Sequence, residues 1–161
     1  MSGISARLET ALKDSGVRYE VIHHRVDYQA QQAAIDTDTP TRDFAKTVFV
    51  RVDGRYAMAV MPAGQFLSER KLCESLGAAE LRLATEEEIV PLCPDAEVGA
   101  APPFGNLYGL DVYVSPLLAE DEEITFNGGS HEAAVRMEYG DFERLVRPRV
   151  VPMSRHDFVS A

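Results

Sequence analysis

Long apolar runs and signal-like segments are missing from this sequence of 161 residues. No stretch reaches the roughly 20 apolar residues needed to cross a bilayer, and the amphipathic start lacks the apolar core of a secretory signal. Cysteine is scarce, since Cys73 and Cys93 lie far apart without metal-type spacing. We therefore expect no membrane contact, no disulfide framework, and a cytoplasmic protein with reduced thiols.

Basic residues are also in short supply. The chain has 16 lysines and arginines against 26 aspartates and glutamates, which gives a net charge of -10. Proteins that hold a long nucleic-acid backbone are usually basic, because phosphate neutralisation dominates their affinity. We therefore expect no DNA partner. The end of a nucleic acid, a nucleotide or a small ester remains compatible with this charge.

Motifs for common cofactors are absent as well. Neither GxGxxG nor the P-loop pattern GxxxxGKS/T occurs, so we expect no dinucleotide or P-loop site. The adjacent His23 and His24 lie in a strand-like run, where neighbouring side chains point to opposite faces and cannot converge on one metal ion. We expect neither a metal nor a cofactor.

What the sequence contains is a succession of short strands and short helices. FAKTVFVRV and RYAMAVMPA form a predicted hairpin around the turn signal Asp53-Gly54. A second turn is predicted at residues 127–130, between the strands EEITFN and HEAAVRM. Residues with capping chemistry mark predicted helix starts and ends: Ser68, Thr85, Gly16 and Gly77.

This pattern predicts one mixed α/β (α+β) domain. The length suffices for a core, and 45% of the residues are hydrophobic. We place the domain at residues 1–147 and a C-terminal tail at residues 148–161. Because the tail has prolines and little periodicity, we expect it to be loose or laid on the surface.

Lys46 is the first candidate functional residue. In the predicted strand it shares a face with Phe44, Val48 and Val50. The simpler interpretation is a stem that packs while the amine reaches water, since lysines are seldom buried. The functional interpretation places the amine at the mouth of a pocket, where it binds an anion or polarises a carbonyl oxygen.

The stretch GAAPPFG is the second candidate, with Gly99, Pro103, Phe104 and Gly105 as its candidate site residues. Prolines fix backbone angles and glycines permit turns that other residues refuse. A rigid connector fits this composition. A preformed wall also fits, with backbone N–H groups pointing into a cavity and Phe104 as its apolar contact.

A third candidate is the pair Gly128-Gly129 followed by His131. Asn-Gly-Gly is an ordinary tight turn, although consecutive glycines also let a ligand approach the backbone. In the strand expected after that turn, His131 shares an apolar face with Ala133 and Val135. A core histidine and a histidine that contacts a ligand both fit this position.

Six runs occur in a fixed order along the chain: VIHHRVDYQAQQAA, AKTVFVR, AVMPAG, SERKLCESLGAAELRLATEEE, GAAPPFG and FNGGSH. Together they resemble the YbaK/ProX family of aminoacyl-tRNA deacylases, which includes bacterial prolyl-tRNA-synthetase-like editing domains. The resemblance covers roughly residues 17–146, and one departure is Arg25, where many members have proline.

The resemblance implies a compact domain with a curved mixed sheet or partial barrel and surrounding short helices. It also implies a hydrolase that cleaves the ester of a mischarged tRNA, a small amino acid on tRNA-Pro or a related tRNA. Lys46 falls on the family's invariant lysine and is the expected catalytic residue. The expected substrate-binding residues are Gly99, Pro103, Phe104, Gly105, Gly128, Gly129, His131 and Tyr28. Candidates for the pocket lining are Tyr28, Phe44, Val48, Met58 and Val60.

The acidic charge restricts the expected contact with tRNA to the acceptor end, near Lys46 and Arg42, Arg51 or Arg55. We expect an aminoacyl-tRNA synthetase or an elongation factor to bind the rest of the tRNA. Two other functions stay open at this point: a non-catalytic module that binds a small molecule or a nucleotide end, and a regulatory interaction domain.

Overall fold

The structure, a computed structural model, describes residues 3–155. Within this range eight strands form a single sheet, and six α-helices pack on it. The helices are α1 (Ala6–Ser15), α2 (Ala30–Asp36), α3 (Glu69–Leu76), α4 (Glu86–Leu92), α5 (Pro116–Ala119) and α6 (Tyr139–Val146). The strands are β1 (Tyr19–His23), β2 (Phe44–Val52), β3 (Arg55–Pro62), β4 (Leu81–Leu83), β5 (Asp111–Val114), β6 (Glu123–Ser130), β7 (Ala133–Glu138) and β8 (Arg149–Val150).

The sheet is mixed, with β2 and β3 at its centre. The strand order is β1-β7-β6-β2-β3-β5-β8. On its other edge β2 pairs first with β6, through Phe44 and Ala45, and then with β4, through its last three residues. The pairs β2–β6, β3–β5 and β5–β8 are parallel, and the other pairs are antiparallel. This arrangement confirms the predicted fold class, a mixed α/β single domain.

Alternation along β2 divides its side chains between two packed faces. Ala45 and Phe49 enter the main core beneath α1 and α6. On the opposite face, Phe44 packs against α2, and Val50 joins a cluster that includes a leucine of α3. Lys46 lies on this second face, between the two smaller clusters. The fold therefore places an amine beside the start of α2.

Local capping chemistry sets several element ends as predicted. The Ser68 side chain accepts a hydrogen bond at the start of α3, and Gly77 ends that helix at φ 65°. Thr85 begins α4 with a capping box. Asp53 and Gly54 both have positive φ in the turn between β2 and β3, as a tight hairpin requires.

The second predicted turn is wrong in its position. β6 continues through Asn127 and both glycines to Ser130, with a bulge, and the turn falls after Ser130. The glycines instead admit the N-terminal segment, because a Cβ on Gly128 would lie 2.5 Å from Ile4 Cγ2. The Ser5 N–H donates to the Gly128 carbonyl at 2.8 Å. Close backbone approach therefore explains this glycine pair.

Part of the C-terminal segment also differs from the expectation of a loose or surface-laid tail. β8 pairs in parallel with β5, and Val151 donates its N–H to Val114 at 3.0 Å. Val151 and Met153 are buried, 4% and 0% exposed. These two apolar side chains, at alternating positions, complete the cluster beneath α3. Because they are buried there, this part of the C-terminal segment is held in place and is not loose. The expected tail residues from 156 onward lie outside the described residues. Between residues 3 and 155, no helix is both long and apolar enough to span a membrane.

Candidate active site around Lys46

Lys46 lines a cavity of ≈ 370 Å³ on the face of the sheet that α2 covers. The residue is half-buried and pairs with Met61 across β2 and β3. Its Nζ lies 4.9 Å from the centre of the Phe66 ring. The other lining residues come from the start of α2 and from the end of β3: Gln29, Ala30, Gln31 and Ala63.

The electrostatic setting of Lys46 is unusual for a lysine. Burial lowers the pKa of Lys46 below its ordinary value of 10.5. Among residues 3–155, none forms an ion pair with this amine. An ammonium withdrawn from water and lacking a carboxylate partner attracts a negatively charged or polarised oxygen more strongly than an exposed one. The cavity is therefore suited to a carbonyl or an anion.

The segment between β1 and α2 forms one wall of the site. Its residues Gln29 and Gln31 line the cavity, and Tyr28 is 77% exposed beside them in the chain. The Tyr28 ring contacts the His131 ring, with 4.8 Å between centroids. The Asp27 N–H donates to the His131 carbonyl at 3.1 Å. This wall thus connects the Lys46 cavity to His131.

His131 is buried, 4% exposed, and both of its ring nitrogens have protein partners. Nδ1 lies 2.9 Å from the Asp27 carbonyl oxygen, and Nε2 lies 2.9 Å from the Val98 carbonyl oxygen. Carbonyl oxygens only accept, and a neutral imidazole donates from one nitrogen. In either neutral tautomer one of the two nitrogens donates to its carbonyl. Contact between this ring and a ligand would require one of these bonds to break.

The two glycine stretches meet at this histidine. Glu97 donates its N–H to the Gly129 carbonyl at 2.8 Å, and Gly129 donates to the Ala100 carbonyl at 3.0 Å. A Cβ on Gly99 would lie 3.4 Å from His131 Cε1. The structure therefore brings together Gly99, Gly129 and His131. The Gly129 N–H is already used within the protein.

The second half of the GAAPPFG stretch lies in the core. Phe104 is 1% exposed and packs against Phe126 and Phe142, at 5.6 Å between ring centroids in each case. A Cβ on Gly105 would lie 2.6 Å from Val112 Cγ2, so glycine is required there for packing. Pro103 is buried as well. None of these residues is among those that line the Lys46 cavity, and their contact with a substrate stays a prediction.

Several expected lining residues occupy other places. Met58 and Val60 point into the main core, on the face of the sheet opposite to Lys46. Phe44 is fully buried against α2. Strand alternation sends Met58 and Val60 to the face opposite Lys46, and Val48 packs against the cluster beneath α3. The prediction that Phe44, Val48, Met58 and Val60 line the cavity is therefore wrong.

The lining residues that sequence reasoning missed are Gln29, Ala30, Gln31, Ala63 and Phe66. No sequence pattern indicates Phe66, because it lies between a strand and a capped helix and belongs to the hydrophobic periodicity of neither.

Asn127 is also relevant, since its Oδ1 is buried and has no hydrogen-bond partner in the described range. In the chain Asn127 follows Phe126, which pairs with Ala45, the residue before Lys46. No cluster of three or more His, Cys, Asp or Glu side chains suited to a metal ion occurs within the described chain.

Comparison with known proteins defines the class to which this fold and this site belong. The family model for the aminoacyl-tRNA editing domain matches residues 24–145, which is most of the chain. The protein belongs to the aminoacyl-tRNA editing domain family. That region includes Lys46, both glycine stretches and His131.

Solved structures share the fold at low sequence identity. The hypothetical protein APE2540 is 20% identical, with a TM-score of 0.82, covering 92% of this chain and 99% of its own. A candidate trans-editing enzyme for prolyl-tRNA synthetase is 22% identical, with a TM-score of 0.82, covering 92% and 95%. A candidate signal transduction protein from Marinobacter aquaeolei VT8 is 19% identical, with a TM-score of 0.69, covering 92% and 30%. No curated protein matches the chain.

Proposed function

We propose that this protein is an aminoacyl-tRNA deacylase that hydrolyses the ester between a wrongly attached amino acid and the 3′ end of its tRNA. Membership of the editing-domain family supports this reaction class. The observation that carries the proposal is the half-buried Lys46 amine without an ion-pair partner in the described chain, facing a cavity of ≈ 370 Å³. This volume is at the lower end for small-molecule sites and suits a small aminoacyl group.

Ester hydrolysis develops negative charge on the carbonyl oxygen, and the Lys46 ammonium supplies the compensating charge. Water adds to the carbonyl carbon, the bond to the ribose oxygen breaks, and that oxygen takes up a proton. The products are the free amino acid and the tRNA. A neighbouring hydroxyl of the terminal ribose orients the water. Lys46 acts electrostatically and not as a nucleophile, since ester cleavage requires no Schiff base.

His131 fits this scheme as a positioning residue. Its ring bonds to the Asp27 and Val98 carbonyls hold the wall that carries Gln29 against the Gly99 stretch. The shape of the cavity depends on this junction. Tyr28, which contacts His131, lies in the same wall, and we propose that it contacts the substrate there.

The substrate we propose is a small amino acid, such as alanine, cysteine or serine, on tRNA-Pro or a related tRNA. A missing methylene weakens binding by only roughly 1–3 kcal/mol, so synthetases for small amino acids need a second, hydrolytic site. A small cavity then rejects the larger correct residue by size. The structural neighbour linked to prolyl-tRNA synthetase supports this choice of tRNA.

The net charge of -10 supports a limited contact with tRNA. We propose that the protein binds the acceptor end alone and that a synthetase or an elongation factor holds the rest of the tRNA. Binding of free tRNA is then weak, and it strengthens when the partner is added.

The test is loss of ester from tRNA-Pro charged with alanine, cysteine, serine or proline, measured against spontaneous hydrolysis. We expect release of at least one of the three small amino acids to exceed release of proline. If no ester is lost above background from any of these substrates or from a wider panel of charged tRNAs, the proposal is wrong. Tight binding of an amide-linked, uncleavable analogue without ester loss would then favour a non-catalytic binding module.

A further inference from the structure

Phe66 is an exception among the phenylalanines of the described chain. It is 70% exposed, whereas five others are at most 5% exposed. The five buried rings fill the core clusters and need no ligand to explain them. They are Phe44, Phe49, Phe104, Phe126 and Phe142. An exposed ring of this size loses the free energy that burial would provide, which makes its position in the site informative.

The exposed ring is held in place on both sides. Before it, the Gln65 N–H donates to the Pro62 carbonyl at 3.0 Å. After it, Leu67 forms a bridge with Ser154, and the Ser68 N–H donates to the Met153 carbonyl at 2.8 Å. The Ser154 hydroxyl also bonds to Gln65 Oε1. The C-terminal segment therefore holds the backbone after Phe66 and contacts the Gln65 side chain before it.

The Phe66 ring and the Lys46 amine share the same cavity. Nζ lies 4.9 Å from the ring centroid, within the range of a cation–π contact. The amine covers only a small part of the ring, since Phe66 stays 70% exposed. A fixed aromatic face beside a cation, at the mouth of a cavity, is the arrangement that proteins use to stack a nucleobase.

We propose that Phe66 stacks on the terminal nucleobase of the substrate, the base of the adenosine that carries the amino acid, and so positions the ester at Lys46. This inference rests on the proposed function. The ribose separates the base from the ester by only a few bonds, so a base on the Phe66 ring leaves the ester carbonyl within reach of the amine. A phenyl ring has no hydrogen-bonding groups, so it recognises the face of the base.

The test compares two small esters, 3′-O-alanyl-adenosine and the alanyl ester of the same ribose without its base. Wild-type kcat/KM should favour the adenosine ester by roughly 5- to 150-fold, the range for one base stacked on an aromatic side chain. Phe66→Leu should lose this preference, and Phe66→Trp should keep it. Val90→Ala should match wild type, since Val90 is an exposed apolar side chain of α4 outside the cavity lining.

The comparison separates stacking from a purely structural role. If Phe66 only shields Lys46 from water, Phe66→Leu lowers the rates for both esters equally, and the inference is overturned. An unchanged preference in Phe66→Leu overturns it as well, while ester cleavage by wild type leaves the proposed function standing. If wild type cleaves neither small ester, the assay on charged tRNA decides the proposed function. The stacking contact is then tested by the dissociation constants of the two amide-linked analogues: tighter binding of the adenosine analogue that is lost in Phe66→Leu supports it, and an unchanged ratio overturns it.

Discussion

At the residue scale, the central feature is an ammonium that has lost much of its hydration without gaining a carboxylate among the described residues. Lys13 has a simpler environment, because its side chain is 64% exposed and pairs with Glu9. Lys46 instead contacts an aromatic ring and faces a cavity. This difference in environment, and not the residue type, makes Lys46 the candidate catalytic group.

The pH dependence of activity should report the protonation of Lys46. Burial lowers its pKa from 10.5, so the charged form is lost at a lower pH than in a free lysine. If the ammonium stabilises the transition state, kcat/KM falls on the alkaline side with an apparent pKa below 10.5. Lys46→Arg should shift this decline to higher pH at a reduced rate, because the guanidinium stays charged.

The measurement is kcat/KM from neutral to alkaline pH, corrected for spontaneous ester hydrolysis at each point. A rate that instead rises with the deprotonation of Lys46 would show that the neutral amine is the active form. That outcome would replace electrostatic stabilisation with general-base or nucleophilic catalysis.

Sequence reasoning located Lys46 but not its neighbours, for a physical reason. Alternation in a strand is a local property, and it assigned Lys46 to a face with Phe44 and Val50. The contact with Phe66 joins β2 to the segment after β3, and no local pattern encodes it. The contacts of the two His131 ring nitrogens with the carbonyl oxygens of Asp27 and Val98 likewise arise only from the tertiary structure.

At the element scale, the ends of helices were predictable because capping is a short-range interaction. Ser68, Gly77 and Thr85 act where their side chains or conformations indicated. The function of the glycine pair before His131 was not predictable, since a tight turn and a close approach of another segment both require glycine. Only the packing of the N-terminal segment distinguishes these two uses.

Gly128→Ala tests the packing of the N-terminal segment on β6. The new Cβ would lie 2.5 Å from Ile4 Cγ2, and overpacking of this kind destabilises by typically ~1–3 kcal/mol. Gly140→Ala in α6 is the control, because its Cβ meets nothing within 4 Å. It should be neutral or stabilise by up to about 1 kcal/mol. Denaturant unfolding of both variants gives the comparison, and equal stabilities would show that the segment does not pack closely.

At the scale of the whole molecule, acidic residues concentrate at the end where β6 begins. Asp121 lies there with Arg42, Asp43 and the neighbouring glutamates around a surface depression. Burial, together with the Asp43 carboxylate, raises the pKa of Asp121 to about 7. Such a surface repels tRNA phosphates, which fits the proposed contact with the acceptor end alone.

Asp121 should make stability depend on pH. Its folded pKa is about 7 against 3.8 for the ordinary group, so the folded state binds more protons between these values. The stabilising contribution is complete below 3.8 and is lost as pH rises through about 7. Asp121→Asn removes this titration. Its melting temperature relative to wild type should therefore increase from pH ~5 to pH ~8, and a constant difference would contradict the assignment.

The C-terminal segment shows the limit of sequence reasoning at this scale. Prolines and weak periodicity predict a loose tail, yet β8 extends the sheet, and Val151 and Met153 after it are buried. Two apolar residues at alternating positions are too short a pattern to indicate a strand. Their partners in β5 and beside α3 lie far away in the chain.

The most direct test of the account is the single-turnover rate of alanine release from Ala-tRNA-Pro by wild type, Lys46→Ala and the control Lys13→Ala. Removing one group that stabilises an oxyanion lowers the rate by roughly 100- to 1,000-fold, so Lys46→Ala should fall by this factor while keeping the wild-type melting temperature. Lys13→Ala should match wild type, because its exposed amine lies on α1. A folded Lys46→Ala that releases alanine as fast as wild type would contradict the account.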